Sequence, residues 1–263
     1  MKMDTSQIQI HPTAIVHPGA NLEEGVEIGP YSVIGEYVTI GSGTRIGTHV
    51  VIEGHTTLGQ DNHIFSGAVI GSITQDKKYQ GGVSYLKIGD RNNIREYVTI
   101  NSGTEEGSST IVGNDNLLMA YAHVAHDCEV KNNAVLANVA TLAGHVTVED
   151  HAIVGGLSAV HQFVKIGKLA IIGGCSKVVQ DIPPYMLVDG HPAKAYGLNS
   201  VGLERMEFSK EEKLELKRAF KLIFRSKLSL RHAIESIEKE LAPVPAIADL
   251  CTFLKSSERG ICK

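Results

Sequence analysis

Tryptophan is absent from this 263-residue chain and aromatic residues make up only 5% of it, so the 43% that is hydrophobic must pack largely as aliphatic side chains. No apolar run approaches the roughly 18 residues needed to cross a bilayer. The first ten residues, MKMDTSQIQI, lack the apolar centre of a secretory leader. No membrane span and a cytoplasmic location are therefore expected. Cysteine is scarce, and Cys128, Cys175, Cys251 and Cys262 form no CxxC pair, which reads as reduced thiols. A formal charge of −4 gives no basic footprint for nucleic acid.

What the chain does have is a period. Stepping six residues at a time from Ile10 to Val178 lands on Ile, Val or Leu at 26 of 29 positions, the exceptions being Asp76, Gly82 and Glu106. Six matches neither the helical 3.6 nor simple alternation, so it marks short strands joined by regular corners. Three such strands make an eighteen-residue triangular coil whose aliphatic residues stack about 4.8 Å apart. The expected architecture is mainly β: a hexapeptide-repeat parallel β-helix of about ten coils, capped at its ends. Glycine follows the periodic residue at 29, 35, 41, 47, 59, 71, 89, 113, 155, 167 and 173, and the expectation is that these corners use positive φ.

Two polar breaks interrupt the repeat, near 72–87 and 101–110. Loops expelled from a regular rod are where binding is usually placed, and the first carries Asp76, Lys77 and Lys78 together. Pro183, Pro184 and Pro192 end the hexads, so a β-helix domain is expected over 1–190 and an α-helical domain over 191–263. Ser209 with Glu212 spells a capping box, a second helix is expected after Ser229, and a third after Pro243 and Pro245, ending near Arg259-Gly260. Residues 199–263 carry 13 Lys and Arg against 10 Asp and Glu. That modest basic bias fits a solvated face or a docking surface for an acidic partner.

Among twelve histidines, His123, His126, His145 and His161 stand out by spacing. His145 and His161 follow His126 by 19 and 35 residues, which in an eighteen-residue coil predicts a vertical line of imidazoles on one face. Three histidines in line could hold zinc with a water in the fourth place; the close His123-x-x-His126 pair and the neighbouring Gln162 argue against it, and no metal is expected. An inert scaffolding rod would have no use for such a line.

Several motifs in order resemble a known family. Gln75-Asp76-Lys77-Lys78-Tyr79, Ile94-Arg95-Glu96, Asn116-Leu117-Leu118-Met119, His123-Val124-Ala125-His126-Asp127-Cys128, Leu142-Ala143-Gly144-His145-Val146, Val160-His161-Gln162-Phe163, Gln180-Asp181-Ile182-Pro183-Pro184-Tyr185 and Arg259-Gly260 are together similar to those of the UDP-N-acetylglucosamine O-acyltransferase (LpxA) family, across the full length. The resemblance implies a left-handed winding, a homotrimer, and transfer of a (3R)-hydroxyacyl chain from acyl carrier protein to the 3-position of the UDP-sugar, the first step of lipid A biosynthesis, without a cofactor.

By the same resemblance His126 is the general base, suited to the task because imidazole titrates near pH 6.5. Asp127 orients it, which requires a corner in the backbone, and the Gly144 amide receives the oxyanion. Asp76, Lys78, His123, His145, His161 and Gln162 line the substrate cleft, Lys78 also being a candidate for the donor's phosphopantetheine. Asn199 and Arg205 contact the nucleotide, while Val201 and Met206 depart from the Glu and Arg of some members. A loop leaving one rod implies a site shared between subunits. Gly174 stands at the acyl-chain ruler and, having no side chain, implies a long donor. Two enzymatic alternatives stay open within the fold: the same reaction on a 3-amino sugar, giving an amide, and a related N-acyltransferase. A zinc carbonic anhydrase-like trimer is the alternative outside acyl transfer.

Overall fold

The computed structural model describes residues 7–263, so the first six residues of the expected β-helix domain lie outside the described residues. Most strands are two residues long and stack in parallel into three sheets of eleven, nine and eight strands. Within a regular coil the register advances by eighteen, as in Ile28 on Ile46, Ile34 on Ile52 and Ile40 on Leu58. The periodic residues point inward and form the core: Ile40, Ile52, Ile64, Ile70, Ile94, Ile100, Leu118 and Leu136 are all fully buried. Burying each such side chain contributes about 1.5–3 kcal/mol.

The insertions explain the three exceptions to the period. Ile64 pairs with Ile94 and Ile94 with Leu118, so the first break adds twelve residues to a coil and the second adds six. Asp76 and Gly82 fall in the first and Glu106 in the second, while every periodic residue beyond keeps its inward place. The breaks are shorter than expected, 73–84 and 102–108, because Tyr85–Ile88 and Ser109–Val112 form four-residue strands that pair with each other.

The glycine expectation is overturned. Of the eleven glycines after the periodic residue only Gly71 has positive φ. Those positions are held to glycine by close stacking instead: a Cβ on Gly29 would lie 2.5 Å from the Gly47 carbonyl oxygen, and one on Gly155 2.4 Å from that of Ile172. The left-handed residue sits two places later and is seldom glycine, as at Tyr121, Asp127, His145, Leu157 and Phe163.

After the last hexads, Met186–Gly190 adds a parallel strand to the first sheet and Ala193–Leu198 folds back on it antiparallel. The expected division at 190/191 falls at the turn of this hairpin. Four helices follow: α1 (Ser200–Arg205), α2 (Lys210–Phe224), α3 (Leu230–Glu240) and α4 (Pro245–Ser256). The Ser209/Glu212 capping box forms at α2, and Ser229 caps α3. The one-and-a-half-turn α1 was not foreseen, and α4 stops short of Arg259. The chain end returns to the rod, where the buried Asp181 accepts the Ser257 hydroxyl at 2.7 Å and the Lys165 N–H at 2.8 Å, and Ile261 bridges to Asp181. No helix among the described residues is long and apolar enough to cross a membrane.

Candidate active site

The corner that follows the second sheet carries the candidate residues. Val124 pairs with Leu142 and Leu142 with Val160, so two places on, His126, Gly144 and Gln162 form one column. One place further lie Asp127, His145 and Phe163. His161 belongs to the column of Ala125 and Ala143. The expected single line of imidazoles is thus corrected to four neighbouring columns around a bend, because spacings of 19 and 35 each miss a multiple of eighteen by one residue.

Asp127 is the left-handed corner residue, φ +58°. That turn cancels the alternation that would send neighbours to opposite faces and lets its Oδ2 meet His126 Nδ1 at 2.9 Å. The carboxylate also accepts the Thr104 N–H at 3.2 Å, and the Asp127 N–H donates to Thr110 Oγ1 at 2.8 Å. Burial works to raise this carboxyl. The His126 hydrogen bond, the adjacent Ser108 hydroxyl and the charges of His145 and His126 outweigh burial and hold it below the usual aspartate range. An ionised Asp127 can only accept, which assigns the Nδ1 proton to His126 and leaves Nε2 as its lone-pair nitrogen.

Around that nitrogen the other groups converge. Asp76 Oδ2 lies 3.9 Å from His126 Nε2. Asp76 is fixed by a local turn in which its Oδ1 accepts the Lys78 N–H at 2.9 Å and its own N–H donates to Thr74 Oγ1 at 3.0 Å. The loop therefore closes over the coil of its own chain. Gly144 is buried directly against the ring, and its N–H donates to no other protein group among the described residues. His145 meets His126 edge to face at 5.2 Å and stacks on Phe163 at 4.5 Å. His123 hydrogen-bonds Thr99 Oγ1 at 2.7 Å, and burial, reinforced by the His126 charge, lowers its pKa. A cleft of about 640 Å³ opens here, lined by Asp76, Lys78, Thr104, Asp127, His145 and Phe163 among others.

Not every expected residue gathers here. His161 sits beside Arg259 at 3.3 Å. Asn199 is buried as the N-cap of α1, accepting the Gly202 N–H at 2.9 Å and donating to the Leu169 carbonyl at 2.9 Å, and Arg205 is exposed at the end of that helix. Gly174 follows the first sheet rather than the second, on a different corner. Phe163, Thr99, Thr104 and Thr110 went unforeseen. Phe163, eighteen residues after His145, was findable from the repeat, whereas the threonines carry no signal outside the fold.

Among the described residues one constellation could ligate a cation, and it differs from the three-histidine line considered above. The nearest ligand atoms of His126, Asp127 and His145 lie within 4.8 Å of one another. A cation bound there would compete with the His126–Asp127 hydrogen bond.

Comparison with known proteins decides the family. A relative from Thermodesulfovibrio yellowstonii, named acyl-acyl-carrier-protein:UDP-N-acetylglucosamine O-acyltransferase, is 51% identical over 97% of this chain and 99% of its own. The chain belongs to the UDP-N-acetylglucosamine O-acyltransferase family. The family model for the second domain of UDP-N-acetylglucosamine O-acyltransferase matches residues 181–262, and the bacterial transferase hexapeptide model matches 7–42. The solved LpxA of Acinetobacter baumannii superposes with a TM-score of 0.94 at 45% identity, covering 97% of this chain and 99% of that one. The UDP-N-acetylglucosamine acyltransferase of Arabidopsis superposes with a TM-score of 0.85 at 38% identity, covering 97% of this chain and 100% of that one. A mirror-image coil would not superpose, so the O-acyltransferase fold here is the left-handed parallel β-helix with a helical cap.

Proposed function

We infer that this chain transfers an acyl group from acyl carrier protein to UDP-N-acetylglucosamine, forming an ester in lipid A biosynthesis. The observation that carries the reading is the placement of His126: Nδ1 is held by an ionised carboxylate, Nε2 lies 3.9 Å from Asp76 in the wall of the cleft, and an unspent backbone N–H lies one coil away. His126 Nε2 takes the proton of the sugar 3-hydroxyl as its oxygen attacks the thioester carbonyl of the (3R)-hydroxyacyl donor. The Gly144 N–H stabilises the oxyanion of the tetrahedral intermediate, which collapses with expulsion of the thiolate, and His126 returns the proton to sulfur. Asp127 holds the tautomer and balances the transient imidazolium. Asp76, Lys78, His123, His145 and Gln162 contact the acceptor or the donor's phosphopantetheine.

A homotrimer belongs to the same proposal. His161, next to Gln162, belongs to the same set of contacts, whereas Asn199, Arg205 and Gly174 lie off this corner of their own chain, so the reading requires a neighbouring subunit to bring those three to the cleft. The outward residues Leu117, Val135, Ile153, Ile171 and Leu187 along the first sheet offer an apolar face for that packing. The cytoplasmic setting and the division into a rod (1–190) and a helical domain (191–263) are part of the proposal. The relatives are named O-acyltransferases, which disfavours the amide-forming, N-acyltransferase and carbonic anhydrase-like alternatives. The test is turnover with acyl carrier proteins of graded chain length against both the 3-hydroxyl and 3-amino sugar nucleotides. Long hydroxyacyl donors and the 3-hydroxyl acceptor are expected to win, and turnover of only ten-carbon or shorter donors would overturn the role given to Gly174.

A further inference from the structure

The second loop, 102–108, supplies none of the reacting groups, yet it is joined to both carboxylates that flank the His126 ring. Thr104, buried at 8% exposure, donates its N–H to Asp127 Oδ2 at 3.2 Å and its hydroxyl to Thr74 Oγ1 at 3.0 Å. Thr74 Oγ1 in turn accepts the Asp76 N–H at 3.0 Å. A continuous path therefore runs from Asp127 on the Nδ1 side of the imidazole, through Thr104 and Thr74, to Asp76 on the Nε2 side. The 3.9 Å between Asp76 Oδ2 and His126 Nε2 is too long for a hydrogen bond. No direct hydrogen bond between the two groups therefore fixes their separation.

The two loops do not need this path to stay together. Ser102 N–H donates to the Ser72 carbonyl at 3.0 Å, Gly107 N–H to that of Val83 at 2.8 Å, and Ser84 Oγ to Ser102 Oγ at 3.2 Å. These clamps grip the base and the returning limb of the first loop. The Thr104–Thr74 pair reaches the Asp76 turn itself, whose far side runs into Gly81 and Gly82 at φ +91° and +105°, a stretch with little stiffness of its own. Resting on the assignment of His126 as base and Asp76 as an acceptor contact, we propose that Thr104 is a positioning residue, with Thr74 its relay, that sets the gap between Asp76 and His126 in which the acceptor hydroxyls are held.

Thr104→Val keeps the N–H to Asp127, the volume and the clamps, and removes only the hydroxyl. Loss of one neutral hydrogen bond predicts a five- to tenfold fall in kcat/KM, about 1 kcal/mol, carried by a higher KM for the UDP-sugar with the donor KM unchanged. Thr104→Ser restores both to within about twofold. In an Asp76→Ala background Thr104→Val adds no further loss, because its effect passes through Asp76. Should Thr104→Val melt early, Thr74→Val severs the same path from the other side and is expected to raise the same KM. Wild-type kinetics in a folded variant, an additive loss in the Asp76→Ala background, or an equal loss in Thr104→Ser overturns the inference. His126→Ala, assayed in parallel, separates the two levels: near-wild-type turnover there removes the underlying reading, whereas an inert His126→Ala beside a normal Thr104→Val removes only the role of Thr104.

Discussion

Adding one methyl group at Gly144 tests the site most directly. A Cβ there would lie 2.4 Å from His126 Cε1 and 2.5 Å from Nε2, where ordinary contact begins near 3.4 Å, so the ring must retreat by about 1 Å. It has little freedom to do so, being held by Asp127 at 2.9 Å and packed edge-on against His145. The backbone at 144 is not left-handed, so alanine adds no strain of its own and the fold is expected to survive. Displacing a reacting group by about 1 Å costs roughly a hundredfold in rate, or about 2.7 kcal/mol of transition-state stabilisation. The assay is steady-state formation of the acylated sugar nucleotide by Gly144→Ala, with thermal melts alongside and Gly197→Ala as control. At Gly197 an added Cβ meets nothing within 4 Å, and near-normal turnover is expected. A Gly144→Ala enzyme with wild-type kcat would show that the ring need not sit where it does, and the geometric argument would fail.

His126→Ala is expected to fold and to lose on the order of a hundred- to ten-thousandfold in kcat; retained turnover would take the imidazole out of the mechanism. One part of the pH dependence of stability follows from His123, whose pKa is lowered by burial and then by the neighbouring His126 charge. The folded state prefers it neutral, so its contribution is complete above about pH 6.5 and is lost as pH falls from there toward the depressed folded value. Urea melts between pH 7.5 and 5 should decline less for His123→Gln than for wild type, and parallel curves would contradict the assignment. Asp127, held low, acts in a more acidic window: its contribution is present above the ordinary 3.8 and lost as pH falls through its folded value.

Much of the rod was legible because stacking an aliphatic column is a one-dimensional problem, which a six-residue period states outright. The corners were not, since positive φ is borne by Tyr121, Asp127, His145 and Phe163, residue types that do not advertise it, while the conspicuous glycines serve close approach between coils. That His126 and Asp127 need a corner to cooperate was foreseen; that Asp127 itself makes the corner was not. His126, Asp127, Gly144, His145 and Asp76 were all named from the sequence and do converge. The single line of imidazoles failed by one residue in register at both His145 and His161, and the N-cap role of Asn199 was hidden because α1 is too short to show a period. The threonines that fix the carboxylates act through contacts 17 to 30 residues apart in sequence, beyond the reach of local pattern.

Because the two insertions comprise twelve and six residues, neither rotates the prism that continues above them. The corner behaves as a socket that accepts whole hexads: a lid can be lengthened, shortened or exchanged there in units of six while every downstream imidazole keeps its bearing. A single-residue deletion in the same stretch would instead turn inward-facing aliphatics out of the core for the remainder of the rod, unless the loop itself absorbed the difference. The length of the loop over His126 is thus quantised by the architecture beneath it, and variation in substrate choice can be introduced at that corner without redesigning the shaft.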